Sequence, residues 1–105
     1  MEPEAKQSDS GKTSFSPVVR EVLVQNKLGI HARPAAMFVK IANRYESDIK
    51  VEKDGEEVNG KSIMGVMLLA ASMGSKLKIT AVGPDAQQAI EALVNLVVNK
   101  FGENQ

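Results

Sequence analysis

Cysteine and tryptophan are both absent from this chain of 105 residues, and histidine occurs only once. Without cysteine the protein has no disulfide and no thiolate metal site, and one histidine cannot build a histidine-rich metal site. We therefore expect no metal and no other cofactor. The 13 basic and 13 acidic residues cancel, so no broad basic surface predicts binding to nucleic acid.

Long apolar runs are missing as well. The acidic start, Met1-Glu2-Pro3-Glu4, does not resemble a secretory signal, and no stretch reaches the length of a membrane span. We therefore expect a cytoplasmic protein that does not insert into a membrane. A hydrophobic content of 43% and a charged content of 25% are ordinary for a globular protein, and 105 residues fit one small domain.

The chain divides into a polar start and an ordinary domain. Residues 1–17 are rich in Glu, Ser, Lys, Pro and Gly and contain one aromatic residue, Phe15. This composition buries too little apolar area to offset the entropy of ordering, so it predicts a flexible N-terminal tail. We assign residues 18–105 to a single domain.

Hydrophobic spacing in residues 18–105 predicts the order β-α-β-β-α-β-α. An extended segment ends near Asn26, the first helix follows His31, and Asp54-Gly55 is a hairpin turn between two strands. The strands are apolar on one face only, which favours an antiparallel sheet covered by helices on one side. The apolar positions predicted to be buried are Val22, Val24, Ala35, Phe38, Val39, Ala42, Tyr45, Ile49, Val51, Leu77, Ile79 and Ala81.

Two further helices are predicted. The second runs from about residue 62 to residue 70, with Val66, Leu69 and Ala70 facing inward. The third has Asp85 at its start, where Asp85 and Gln88 form a capping-box-like pair, and Gly102 can end it. The buried stripe predicted for this third helix consists of Ala86, Ala89, Ile90, Leu93, Val94 and Val97.

The single histidine lies in Gly29-Ile30-His31-Ala32-Arg33-Pro34-Ala35-Ala36, where an extended segment becomes a helix. Glycine allows the tight turn, and proline fits the first helical turn. An imidazole there faces free backbone N–H groups and the positive end of the helix dipole, which together favour phosphate. Arg33 adds a permanent cation. This local chemistry indicates a histidine that carries a phosphoryl group, and the alternative is a capping or surface histidine.

This octapeptide resembles the active-site signature of the HPr family, the histidine-containing phosphocarriers of the bacterial phosphoenolpyruvate-dependent sugar phosphotransferase system. The resemblance covers about Val18 to Phe101 and includes residues 59–67. It implies an α+β fold, the HPr-like open-faced β-sandwich, in which three helices cover one face of four antiparallel strands. It also implies a phosphoryl-carrier substrate protein rather than an enzyme, and it fits both a sugar-uptake and a nitrogen-regulatory branch.

The resemblance also implies the site residues and partners. The accepting atom is Nδ1 of His31, and Arg33 stabilises the phosphate charge, with the backbone amides of Ala32 and Arg33 as donors. The helix N-terminus disfavours the imidazolium and so favours the neutral ring that accepts phosphate. Phosphorylated enzyme I is the implied donor and sugar-permease A domains are the implied recipients. A monomer is expected for a carrier that must expose its acceptor.

Residues 61–67 resemble the family's regulatory serine segment. This likeness implies that HPr kinase/phosphorylase modifies Ser62 and so slows phosphorylation of the histidine. A serine there also suits the cap of a helix, and the two roles are compatible. Ile63, Met64 and Met67 are predicted to face outward and dock partners, although methionines more commonly fill cores.

Residues 55–62 match the letters of the P-loop pattern G-x-x-x-x-G-K-S. Glu56 and Glu57 would place carboxylates in a loop meant for phosphate, and the chain is too short for the parallel sheet of P-loop proteins. We therefore expect no nucleotide site. Two other classes are a regulator that acts only by binding and a small α/β RNA- or metabolite-binding domain, although three Phe and one Tyr are few for RNA stacking.

Overall fold

The computed structural model describes residues 15–103. Its elements are strand β1 (Val18–Leu23), helix α1 (Ala32–Ala42), strands β2 (Asp48–Lys53) and β3 (Glu56–Asn59), helix α2 (Ile63–Leu68), strand β4 (Lys76–Val82), helix α3 (Ala86–Val98) and a 3-10 turn (Lys100–Gly102). The predicted order is confirmed. Of the predicted tail, residues 1–14 lie outside the described residues. Between residues 15 and 103, no helix is long and apolar enough to cross a membrane.

The four strands form one antiparallel sheet in the order β1-β4-β2-β3. Its central strands alternate apolar and polar residues, so one face is apolar: Val51 lies opposite Ile79, and Ile49 lies opposite Ala81. The helices cover this face, and the largest fully buried side chains include Phe38, Phe101, Leu77, Ile90 and Leu93. The open-faced sandwich is therefore confirmed.

The other face of the sheet is open and charged. Lys78 on β4 lies between Glu21 on β1 and Glu52 on β2, with its Nζ 3.7 Å from Oε1 of Glu52. Lys76 Nζ is 3.9 Å from Oε1 of Glu21. Such exposed ion pairs add little stability, but they give this face alternating charges.

The predicted hairpin turn is present between β2 and β3. Asp54 and Gly55 both adopt left-handed backbone angles, with φ of 53° and 84°, as a two-residue turn matching the strand twist requires. Residues 56–59 are consequently a strand in an antiparallel sheet, and the Lys61 ammonium donates to the carbonyl oxygen of Tyr45 at 2.7 Å. This geometry differs from a P-loop, in which a glycine-rich loop follows a parallel strand.

Several predicted boundaries were wrong. Strand β1 ends at Leu23 rather than near Asn26, although Val24 still exchanges backbone hydrogen bonds with Gly74 and Ser75. Helix α2 ends at Leu68, and Ala70 is exposed rather than inward-facing. The reason is that Ala70 has a φ of 49°, which takes its side chain out of the helical stripe.

The predicted capping box at Asp85 was also wrong. Asp85 occupies the N-cap position of α3, but its side chain makes no capping bond. Its carboxylate instead accepts hydrogen bonds from Glu46 N at 2.9 Å, Ser47 N at 3.0 Å and Ser47 Oγ at 2.6 Å. Ser47 is buried, so its N–H and O–H groups need hydrogen-bond acceptors. Because they bind the Asp85 carboxylate, this carboxylate does not cap the helix. The Ser47 hydroxyl bond is the main reason why the pKa of Asp85 lies below its ordinary value of 3.8.

A left-handed turn follows α3 and reverses the chain. Lys100, Phe101 and Gly102 have φ values of 58°, 56° and 76°. The left-handed angles of Lys100 and Phe101, which both have a Cβ, cost about 1–2 kcal/mol each. Phe101 is fully buried, and this burial contributes about 1.5–3 kcal/mol, which offsets part of that backbone cost. Helix α3 therefore ends at Val98, before the predicted Gly102, and Glu103 is brought to the start of α1.

Candidate functional site

His31 is the N-cap residue of α1, as predicted. Its backbone is extended, and its carbonyl accepts the first helical hydrogen bond from Ala35 N at 3.0 Å. The loop before it is held against the loop that follows α2. Ile30 N donates to the carbonyl of Ala71 at 2.8 Å, and a Cβ added to Gly29 would lie 2.5 Å from that same oxygen. Only glycine, with its φ of 70°, fits this close approach.

The start of α1 has free donors. The backbone N–H groups of Ala32 and Arg33 donate to no acceptor within residues 15–103, and the His31 ring does not cap the helix. Both residues are exposed. Uncapped N–H groups at the positive end of a helix of this length form an anion-binding site. The two predicted backbone donors are therefore exposed and without an acceptor in the described residues.

The His31 ring contacts a carboxylate that the sequence analysis did not include. Its Nε2 lies 2.8 Å from Oε2 of Glu103, and the Arg33 guanidinium lies 3.6 Å from the same oxygen. The His31 side chain is 39% exposed, whereas that of Glu103 is only 7% exposed. Arg33 and His31 thus approach the same carboxylate oxygen, and Glu103 lies between the two basic side chains.

Asn26 fixes this carboxylate from beneath. It is fully buried, and its Nδ2 donates to Oε1 of Glu103 at 2.9 Å and to the carbonyl of Gly29 at 2.7 Å. The Asn26 bond is the main reason why the pKa of Glu103 is lowered; the bond and charge of His31 and the charge of Arg33 act in the same direction, against burial. Glu103 is therefore ionised at neutral pH.

Ser62 is the N-cap residue of α2, and its Oγ accepts a hydrogen bond from Gly65 N at 3.0 Å, so the predicted cap is confirmed. Ile63, Met64 and Met67 are exposed, by 44%, 72% and 42%, as is Leu68 by 67%. We call these four residues the α2 surface. The predicted outward orientation is confirmed, and the hydrogen bond from Ile30 to Ala71 connects the end of α2 to the loop of His31.

Comparison with known proteins places this site in a family. The family model for the PTS HPr component phosphorylation site matches residues 18–99. The chain belongs to the PTS HPr family. Phosphocarrier protein HPr of Treponema pallidum is 49% identical over 86 residues, which is 82% of this chain and 98% of that protein.

Solved structures of HPr-family proteins agree with the fold. HPr from Thermoanaerobacter tengcongensis superposes with a TM-score of 0.81 and 49% identity, covering 84% of this chain and 99% of that chain. Crh of Bacillus subtilis, reported as a dimer with a swapped domain, gives a TM-score of 0.65 and 51% identity, covering 75% of this chain and 91% of that chain. Like other HPr proteins, this protein is a phosphocarrier and not an enzyme.

The HPr match contains His31, Arg33 and Ser62 but ends before Glu103. Glu103 is 72 residues from its histidine partner, and such a pairing has no periodic signal in the sequence. The one hint was Gly102, which permits a chain reversal after α3. Asn26 was missed because an asparagine at the end of a predicted strand usually indicates an exposed turn.

Proposed function

We propose that the protein accepts a phosphoryl group from phosphorylated enzyme I on Nδ1 of His31, in the cytoplasm, and passes it to sugar-permease A domains or related regulators. The observation that carries this proposal is the uncapped start of α1. There a half-exposed histidine lies beside two free backbone N–H groups and one guanidinium.

The chemistry asks for little beyond a nucleophile, alignment and charge stabilisation. The lone pair on Nδ1 of the neutral ring attacks the phosphorus atom while the bond between phosphorus and the donor atom of enzyme I breaks, and the electron pair of that bond stays with enzyme I. The N–H groups of Ala32 and Arg33 and the Arg33 guanidinium stabilise the phosphoryl oxygens. Pro34 has no N–H to contribute. Onward transfer reverses these steps on the next protein.

The test is mass spectrometry after incubation with phosphoenolpyruvate and enzyme I. We expect an acid-labile adduct of one phosphoryl group on His31 in the wild-type protein. The variant His31→Ala should fold normally, as judged by circular dichroism, and remain unlabelled, whereas Ser62→Ala should be labelled like the wild type. Normal labelling of His31→Ala would refute the assignment.

We also propose that Ser62 is a regulatory phosphorylation site for HPr kinase/phosphorylase. A phosphate there would add about −1.5 to −2 charge next to the exposed apolar residues of the α2 surface. Its hydration would oppose docking of enzyme I, for which Ile63, Met64 and Met67 are the proposed contacts. Incubation with ATP and this kinase should label the wild type with an acid-stable phosphate, and equal labelling of Ser62→Ala would exclude the site.

The proposed state in solution is a monomer. Strand β1 pairs with β4 of the same chain over six residues, so all four strands of the sheet come from one chain. The related Crh dimer shows that the fold permits exchange between chains. Light scattering of the purified protein should give the mass of one chain, 11.3 kDa, and a mass of twice that value would contradict the proposal.

A further inference from the structure

Glu103 makes a specific contact with the ring nitrogen that does not carry the phosphoryl group in the proposed function. Both of its carboxylate oxygens are bound, Oε2 by His31 Nε2 and Oε1 by Asn26 Nδ2. The residue lies outside the stretch that matches the HPr family model. The contact is anchored in the core, because the fully buried Asn26 donates a hydrogen bond to Oε1 of the carboxylate at 2.9 Å.

We propose that Glu103 is a positioning residue that keeps a proton on Nε2 of His31 through both halves of the phosphoryl relay. This inference rests on the proposed function, since it assigns a task to the second nitrogen of the proposed acceptor. An exposed ion pair would be too weak to hold the proton on Nε2. The Glu103 side chain, however, is only 7% exposed and lies within hydrogen-bond distance of the ring.

The first half is acceptance of the phosphoryl group. A carboxylate can only accept a hydrogen bond, so the Nε2–H form of the ring is the form that fits the contact with Oε2. In the neutral ring, a proton on Nε2 leaves the lone pair on Nδ1. Glu103 therefore directs the incoming phosphoryl group to Nδ1, in the way that a carboxylate orients the histidine of a catalytic triad.

The second half is release. When phosphoryl passes to the next protein, the bond between phosphorus and Nδ1 breaks and its electron pair returns to Nδ1. If Nε2 still carries its proton, the ring leaves as neutral imidazole. If Nε2 has lost it, the ring must leave as the far more basic imidazolate. A carboxylate on Nε2–H favours the protonated ring and so favours onward transfer.

The charges around this pair are few. In the described part of the chain, the Arg33 guanidinium is the one other charged group within 4 Å of the Glu103 carboxylate, at 3.6 Å from Oε2. The other nearby positive charge is the partial charge at the start of α1, which favours anions. Glu103 is thus the group that can hold the Nε2 proton, and Arg33, 63% exposed, can turn to the phosphoryl oxygens.

The experiment compares wild type, Glu103→Gln and Glu103→Ala after loading with phosphoenolpyruvate and enzyme I. Nitrogen NMR of the phosphorylated proteins follows the protonation of Nε2 with pH, and transfer to a permease A domain is timed at neutral pH. The matched control is Glu57→Gln, which removes an exposed carboxylate on β3. Glu103 follows the last buried residue of the core, so its variants should fold normally.

We expect Glu103→Ala to lose the Nε2 proton at a pH lower by about one unit, and to transfer phosphoryl about tenfold more slowly. Glu103→Gln, which keeps an acceptor oxygen without the charge, should lie between Glu103→Ala and the wild type. The control Glu57→Gln should match the wild type. Labelled variants with an unchanged pH profile and unchanged transfer would overturn this inference alone. A wild-type protein that takes no label would remove the proposed function and this inference with it.

Discussion

Replacement of Asp85 by alanine should destabilise the protein far more than an ordinary surface substitution. The carboxylate accepts two hydrogen bonds from Ser47 and one from Glu46. Glu46 is exposed, so its N–H can bond to water instead. Ser47 is buried, so its N–H and O–H would lose their acceptor at a cost of about 1–2 kcal/mol each. We therefore expect Asp85→Ala to lower the free energy of unfolding by about 2–4 kcal/mol.

Urea unfolding measured by circular dichroism tests this value, since a two-state domain with an unchanged m-value gives the difference directly. The matched control is Ser47→Ala, which removes one of the three bonds and should cost about 1 kcal/mol. In thermal unfolding, the loss for Asp85→Ala corresponds to a fall in Tm of roughly 10–30 °C for a domain of this size.

The effect should also depend on pH with a definite sign. The pKa of Asp85 is lowered on folding, chiefly by the Ser47 hydroxyl, so its stabilisation is present above the ordinary value of 3.8 and is lost as the pH falls through the lowered value. The difference between wild type and Asp85→Ala should therefore be constant near neutral pH and shrink in acid. A loss below about 0.5 kcal/mol at pH 7, or one that grows in acid, would contradict this account.

Three further variants and one control substitution test other parts of the structure. Ala70→Gly should raise the free energy of unfolding, measured in urea, by about 0.5–1 kcal/mol, because it relieves a left-handed φ of 49°. The control Ala36→Gly, inside α1, should lower this free energy by about 1 kcal/mol. If both substitutions changed the free energy in the same direction, the backbone of Ala70 would not be strained. Gly29→Ala should lower the free energy of unfolding by at least about 2 kcal/mol and slow phosphoryl acceptance from enzyme I, since the new Cβ would lie 2.5 Å from the carbonyl oxygen of Ala71. If the variant had the stability and the rate of the wild type, the loop would accommodate the Cβ without strain. The double variant Met64→Lys and Met67→Lys should unfold within about 0.5 kcal/mol of the wild type, because both side chains are exposed. Its KM in the enzyme I reaction should rise about tenfold, and an unchanged KM would exclude the α2 surface as the docking site.

Periodic signals in the sequence predicted most of the fold. Leu77, Ile79 and Ala81 alternate with polar residues and are all fully buried in β4. The spacing in α1 was equally reliable, because an amphipathic helix and a half-buried strand each leave a local pattern. Two members of the predicted stripes, Tyr45 and Val94, are only half-buried because they lie at the margin of the core.

The errors arose where distant segments compete for one group. Asp85 has the sequence of a helix cap, but Ser47, 38 residues away, takes its carboxylate. The sequence motif likewise placed His31 and Arg33 at the start of a helix, yet it held no sign of Asn26 or Glu103. Local propensity cannot reveal such contacts, since they depend on how β1, α1 and the turn after α3 meet in space.

The alternating charges on the uncovered side of the sheet restrict how this protein can meet others. A partner that packed there would have to remove water from Lys78, Glu52 and Glu21 together. The free energy of desolvating these charges is often larger than the gain from the new contacts. In the proposed function, recognition is therefore assigned to the helical side, where His31 and the exposed residues of the α2 surface lie. The proposed partners, which load, unload or modify the carrier, would then compete for one surface, so that their complexes with it would be mutually exclusive.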